Sequence, residues 1–223
     1  MIKIYCARID EIDTVFLFER LLEQVNTQRR EKILRCHNEK DKLRSLVAGL
    51  LLRYALEQEG FIYGETKISI SEMGKPFLCS KKPVYFSISH TENIAICAIA
   101  ETDLGIDVEC ASRMKKQYEK PEKRRSFIDK IATPFEKEYM SRLDDVDYTE
   151  GLLKLWTGKE SYGKKKGLGI QIKMNECQVL EMNQIYADWL DEKKEYFFSV
   201  CSETSLENKP EIQWISVAQE YSK

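Results

Sequence analysis

Apolar and polar residues alternate along MIKIYCARI at the start of the chain, the period-2 pattern of a strand. A polar turn at Asp10–Asp13 follows, and a helical region opens. Between Asn38 and Gly60, residues Leu43, Leu46, Val47, Leu50, Leu51, Tyr54 and Ala55 recur at i, i+3, i+4 and i+7. Asp41, Lys42, Arg44 and Ser45 fall mainly on the other side, so the spacing predicts an amphipathic helix stopped by Gly60. From Lys67 the texture changes to short β-rich runs, KISIS, PVYFSIS, IAICAIA and LGIDVE, separated by EMGKP, HTEN and ETD. An antiparallel meander is the natural reading.

The stretch Ala111 to Arg125 is polar and contains Pro121, and it reads as a loop or linker, with a boundary near residues 105–125. Thr133-Pro134-Phe135-Glu136 supplies an N-cap, a proline at the first helical position and a capping-box glutamate, which predicts a helix start. A second helix is expected over about Tyr148 to Lys165. After Gly167 come four more strand-like runs, GIQIKM, ECQVLEM, EYFFSVCSE and EIQWISVAQ. Helices followed by strands thus occur twice. The pattern predicts an α+β protein of two related units, residues 1–105 and 106–223, packed side by side with a ligand cleft between them.

Composition narrows the function classes. With 43% hydrophobic and 32% charged residues and only 5 Pro and 10 Gly in 223 residues, the chain is neither fibrous nor disordered. Lys plus Arg total 35 against 37 Asp plus Glu, so no global field of the kind that holds a protein on nucleic acid or an anionic membrane is expected. The longest apolar runs, Ile94–Ala100 and Leu46–Leu52, fall far below the roughly 20 residues that span a bilayer. MIKIYCARIDEID lacks the features of a secretory signal, which points to the cytoplasm. The seven cysteines, at 6, 36, 79, 97, 110, 177 and 201, are scattered and joined by only two His. Neither a disulfide framework nor a zinc site is expected.

Three segments carry candidate chemistry. In Leu104-Gly-Ile-Asp-Val-Glu109, Asp107 and Glu109 lie two apart in an apolar strand and share one face. Like charges so placed repel, so a divalent cation or a basic partner is expected between them, and hard oxygen donors suggest Mg²⁺ or Mn²⁺. The alternative is an exposed strand face whose acids meet water or a lysine. In KLWTGKESYGK, Glu160 and Lys164 are i, i+4 helical neighbours with Trp156 one turn earlier, an arrangement that, taken alone, favours an exposed ion pair beside a core tryptophan. The KKKGLG that follows is not a phosphate loop, because neither GxxxxGK[ST] nor GxGxxG is present. In Phe86-Ser-Ile-Ser-His90, preceded by Lys75 in a Gly-Lys-Pro turn, a hydroxyl and an imidazole at a strand end could face a phosphate, or His90 could be structural. A serine hydrolase is disfavoured by the absence of GxSxG.

Together FSISH, GIDVE and WTGKESYGKKKG, in this order and spacing, resemble the signature of the surfactin-type (Sfp-type) 4'-phosphopantetheinyl transferases. The resemblance extends to RREKILRC, RSLVAGLLLR and GKP and covers nearly the whole chain. It implies two similar α+β subdomains in pseudo-twofold arrangement, with the active site in the cleft between them. It also implies transfer of the phosphopantetheine arm of coenzyme A to a serine of an acyl or peptidyl carrier protein, releasing adenosine 3',5'-bisphosphate. By resemblance, Asp107, Glu109 and Glu160 match the metal ligands and Lys164 the catalytic lysine near the diphosphate; for the chemistry so implied, Glu160, or a metal-bound water it orients, is the best-placed base. His90 and Ser89 match phosphate contacts, Lys75 a coenzyme A contact, and Arg29, Lys32, Arg44 and Ser45 the positions around the adenosine 3'-phosphate. Gly163 departs from the family, whose members usually carry an aliphatic residue there. A monomer is implied, with no nucleic-acid or membrane partner.

Arg113 to Arg125 holds seven Lys or Arg against two Glu, a local +5 suited to an acidic carrier, though a solvated loop would look the same. Two competing classes remain. A Mg²⁺-dependent phosphohydrolase or nuclease would also cluster carboxylates, a Lys and a His, and a coenzyme A- or carrier-binding module without turnover would share the binding residues.

Overall fold

The N-terminal alternation becomes β1 (Lys3–Arg8) in the computed structural model, which describes residues 1–169, 172–206 and 208–222. The chain divides into two compact units, Met1–Ser69 with Phe77–Glu101 and Pro210–Lys223, and Ile70–Pro76 with Thr102–Lys209.

In the first unit β1 pairs antiparallel with β5 (Ile94–Ala100), and β5 pairs antiparallel with β4 (Tyr85–Thr91). The C-terminal EIQW run (Glu211–Trp214, β9) returns to pair with β1 in parallel, giving the order β4-β5-β1-β9. Against this sheet lies the helix expected over 38–60, here α3 (Glu39–Gln58), following α1 (Val15–Leu22) and α2 (Thr27–Leu34). Its C-terminus ends as read: Gly60 adopts φ 83°, Phe61 N–H donates to Leu56 O and Gly60 N–H to Glu57 O, a Schellman cap that only glycine takes without strain. The stripe expectation is too narrow, however. Every residue from Ser45 to Leu52 is buried, because α2 packs on the helix as well as the sheet does. Leu46, Val47, Leu50, Leu51 and Ala55 join Tyr5, Ala7, Cys97 and Ile99 in one core, closed by Val217 and Tyr221 of the short α8 (Val217–Tyr221).

The expected meander does not form. KISIS yields only β2 (Ile68–Ile70), paired with β3 (Pro76–Leu78) as a two-stranded ribbon. LGIDVE, β6 (Leu104–Cys110), enters the sheet of the second unit. Alternation tells which faces a strand presents, not which strand it joins.

In the second unit β6 pairs antiparallel with EYFFSVCSE, now β8 (Tyr196–Ser202), and β8 pairs antiparallel with β7 (Ile185–Trp189), a strand the sequence patterns miss. ECQVLEM forms no strand. GIQIKM includes residues 170 and 171, which lie outside the described residues, and ends in a 3-10 turn at Met174–Glu176. The polar stretch expected as a loop is two helices, α4 (Ala111–Gln117) and α5 (Pro121–Ile131). Pro121 occupies the first turn of α5, where its missing N–H costs nothing, and Met114, Ile128 and Ile131 turn inward. The predicted capping box is present on α6 (Pro134–Ser141), Thr133 and Glu136 each accepting from the other's backbone N–H.

The second expected helix is α7 (Asp145–Lys166), packed across β6 and β8. Its approach is set by Gly105, the glycine of GIDVE. A Cβ there would sit 2.1 Å from Ser161 O and 2.4 Å from Lys165 N, so the backbones of strand and helix meet without an intervening side chain. Gly105→Ala should therefore force the two apart, and we expect a cost of about 3 kcal/mol, read as a drop of roughly 6–12 °C in melting temperature. An unchanged melting temperature would contradict this packing.

Candidate functional site

Residues 105, 107 and 109 of β6 share one face, and α7 covers that face. This explains two acids inside an apolar strand, since each meets a donor from the helix. Lys164 Nζ donates to Asp107 Oδ1 at 2.7 Å, and Trp156 Nε1 donates to Glu109 Oε1 at 3.1 Å. Trp156, Glu160 and Lys164 follow one another at i, i+4 and i+8, so one stripe of α7 lies along the acids. Asp107 is buried, and Glu109 and Glu160 are half-buried.

The Glu160 carboxyl is pushed above its ordinary range, first by burial, then by the negative charge of Asp107, with Lys164 opposing and Glu109 adding to the rise. The three carboxylates expected as metal ligands thus feel one another across the β6–α7 contact. Among the described residues no group of three His, Cys, Asp or Glu side chains is drawn together tightly enough to hold an ion as it stands. The donor set nonetheless fits a hard divalent cation: all oxygens, mutually repulsive, with the Lys164 ammonium as the positive charge at hand.

Lys75 belongs to this unit and is taken up by it. Its ammonium donates to Asp103 Oδ1 (2.5 Å), Lys165 O (2.7 Å) and Leu104 O (3.3 Å), tying the start of β6 to the end of α7. The two preceding helix carbonyls are closed by a Schellman cap, Leu168 N–H to Gly163 O and Gly167 N–H to Lys164 O, with Gly167 at φ 69°. Gly163, the family departure, leaves only ordinary contact distances where a Cβ would stand, 3.5 Å to Ile172.

In the first unit Asn26 caps α2 by accepting from Arg29 N–H. Arg29 lies across α3 at Gly49, where a Cβ would come within 3.0 Å of Arg29 Cγ. Burial lowers the Arg29 pKa from its usual value, with Tyr63 and Cys97 close enough to oppose the shift, and burial, then Arg29, lowers that of Lys32. One turn before Gly49, Ser45 is buried and its Oγ has no hydrogen-bond partner. A desolvated guanidinium and an orphaned hydroxyl on the packed α2–α3 pair suit an anion. Arg44 is spent otherwise: Nε donates to Glu92 O at 3.0 Å and Nη1 to Asp41 Oδ1 at 2.8 Å. It thereby holds the β4–β5 turn, where Glu92 takes φ 40°, beside the exposed His90 and the buried Ser89.

Comparison with known proteins gives the family. Residues 103–215 match the 4'-phosphopantetheinyl transferase superfamily, and residues 14–102 match the N-terminal 4'-phosphopantetheinyl transferase family. The 4'-phosphopantetheinyl transferase gsp of Aneurinibacillus migulanus is 34% identical over 182 residues, covering 78% of this chain and 70% of the relative. Sfp of Bacillus subtilis strain 168 is 27% identical over 180 residues, covering 79% and 75%. The chain is a 4'-phosphopantetheinyl transferase of the Sfp type. As the sequence reading expected, this transferase is an enzyme of α+β architecture. Among the described residues no helix is long and apolar enough to cross a membrane.

Sequence reasoning missed three features of the transferase. Gly105 and Gly49 are backbone or side-chain clearances, signalled only by a glycine inside a strand and inside a helix. The Trp156–Glu109 bond needed the register between β6 and α7. The raised Glu160 pKa gives a stability test. A carboxyl raised in the folded state above its unfolded value of about 4.3 favours folding below that value and loses this contribution as pH rises through the folded pKa. Glu160→Gln in metal-free buffer should therefore melt above the wild type at pH 7–8, with the gain gone near pH 4. A gain that is equal at both pH values would contradict the assignment.

Proposed function

We propose that the protein transfers the 4'-phosphopantetheine arm of coenzyme A to a serine hydroxyl of an acyl or peptidyl carrier protein, with Mg²⁺ or Mn²⁺, and releases adenosine 3',5'-bisphosphate. The observation that carries this reading is the acid and lysine stripe shared by β6 and α7, in which Lys164 donates to Asp107 while burial and the Asp107 charge hold the Glu160 carboxyl above its usual range. Asp107, Glu109 and Glu160 would hold the cation. When bound, it supplies neutralisation of charge on the diphosphate.

In this reading the carrier serine Oγ forms a bond to the phosphorus bearing the pantetheine arm, and the bond from that phosphorus to the bridging oxygen breaks. The bisphosphate leaves with that oxygen. The serine proton passes to Glu160 or to a water that it orients. Lys164 turns from Asp107 toward the phosphates and, with His90 and Ser89, donates to their oxygens. Arg29, Lys32 and Ser45 receive the adenosine 3'-phosphate, and Arg44 holds the turn that presents His90. To Lys75 we assign the end of α7, because its ammonium already serves Asp103 and two carbonyls. The exposed cations of α4 and α5, Arg113, Lys115, Lys116, Lys120, Lys123 and Arg125, suit encounter with an acidic carrier.

Intact-protein mass of apo carriers incubated with coenzyme A and Mg²⁺ tests the reading directly. We expect one phosphopantetheine per carrier, an equal yield of adenosine 3',5'-bisphosphate, and loss of both on chelation. Cleavage of coenzyme A with no carrier present would favour a hydrolase instead.

The anion site has its own test. Gly49→Ala crowds Arg29 without removing a charge, so KM for coenzyme A should rise about tenfold with little change in kcat. The variant and wild type should differ far less with dephospho-coenzyme A. An equal effect on both donors would move the 3'-phosphate elsewhere.

A further inference from the structure

Behind the reactive stripe, α7 carries a second charged residue that neither the family motif's assigned roles nor the chemistry above uses. Lys159, next to Glu160, has no solvent exposure, and neither has its partner Glu136. Lys159 Nζ donates to Glu136 Oε2 at 2.5 Å, to Met174 O at 2.8 Å and to Cys177 O. Glu136 in turn accepts from Thr133 N–H at 2.9 Å and Val179 N–H at 2.7 Å. The pair joins three pieces of chain: the first turn of α6, the segment 174–179 and the middle of α7. Gly158 makes room for this, since a Cβ there would already stand 3.3 Å from a Val179 methyl.

Such a pair is a poor source of stability, because desolvating two charges offsets most of their attraction, and replacing both by apolar residues is often neutral or stabilising. It is a strong source of direction. The apolar residues of α7 on the same core, Leu152, Leu153 and Leu155, would tolerate a small rotation or slide of the helix. The ammonium and carboxylate would not, because their five hydrogen bonds run to fixed backbone and side-chain positions and either charge left unbonded in the core is costly.

Resting on the function proposed above, we infer that Lys159 is a positioning residue: paired with Glu136, it fixes the rotation of α7 about its axis and so aims Trp156, Glu160 and Lys164 at Glu109 and Asp107. The pair sits on the side of α7 away from β6 and acts on the reaction only through this orientation.

The test is the double variant Lys159→Met/Glu136→Met, which removes both charges together. We expect a melting temperature no more than about 4 °C below wild type, a KM for coenzyme A within about twofold, and kcat lowered about tenfold or more, the scale of a small misplacement of reacting groups. A second readout is independent of activity. The indole N–H resonance of Trp156, one of three tryptophans and assignable by Trp156→Phe, should shift and lose protection as its bond to Glu109 loosens. If the double variant folds and keeps both wild-type kcat and the wild-type Trp156 resonance, the inference is overturned. If it does not fold, Lys159→Gln/Glu136→Gln, neutral but able to hydrogen-bond, takes its place with the same expectations. Failure of both to fold also overturns the inference, because the pair would then be holding stability and not orientation. Absence of transfer by the wild-type protein would instead remove the functional reading, while the Trp156 resonance would still decide the positioning role.

Discussion

The second unit depends on a backbone-to-backbone contact. At Gly105 strand β6 touches α7 so closely that no Cβ fits, and everything on the shared face follows from that distance. Two residues along the strand, Asp107 lies within reach of Lys164; two further, Glu109 lies within reach of the Trp156 indole. Glu160, between them on the helix, is desolvated by the same closeness and left among like charges. A side chain at position 105 would lengthen each of these contacts at once. The glycine is thus a condition for the electrostatics as well as for the packing.

Helix α7 is held on both sides by charge, with different consequences. Toward β6 its charged groups are half-buried and meet the acids of the strand. Away from β6, Lys159 and Glu136 are fully enclosed, with fixed partners. At its C-terminal end, Lys75 and a Schellman cap close successive carbonyls, and the chain turns at Gly167. A half-buried face backed by a rigid one is what positioning of reacting groups to within fractions of an ångström calls for.

The first unit meets a different constraint. Its central helix α3 is enclosed on all sides from Ser45 to Leu52, so any polar atom there needs a partner or a ligand. Arg29 lies over Gly49 in that setting, its charge desolvated, while Ser45 Oγ remains unbonded. Arg44, one residue before Ser45 in sequence, is consumed by Asp41 and the strained Glu92 turn. The packed α2–α3 pair therefore holds one arginine, Arg29, desolvated over Gly49, and another, Arg44, bonded to the turn that follows His90.

Much of this was legible in the sequence. Local chemistry fixed the helix boundaries at Thr133-Pro134-Phe135-Glu136 and at Gly60, since caps are set by residues only three or four apart. Period-2 alternation placed Asp107 and Glu109 on one face, and the joint spacing of FSISH, GIDVE and WTGKESYGK resembled the family that the comparisons then showed. What the sequence misread were partners and context. Alternation in LGIDVE does not say that β6 joins β8 in place of β5, nor that EIQW returns to β1 across the length of the chain. The charge of residues 111–125 hid two helices whose few apolar residues suffice to bury one side. Only the tertiary structure decided that Lys159 faces Glu136 while Glu160 faces Asp107. Successive helical residues differ by 100° in direction, and which direction meets which neighbour is set by packing, not by the local sequence.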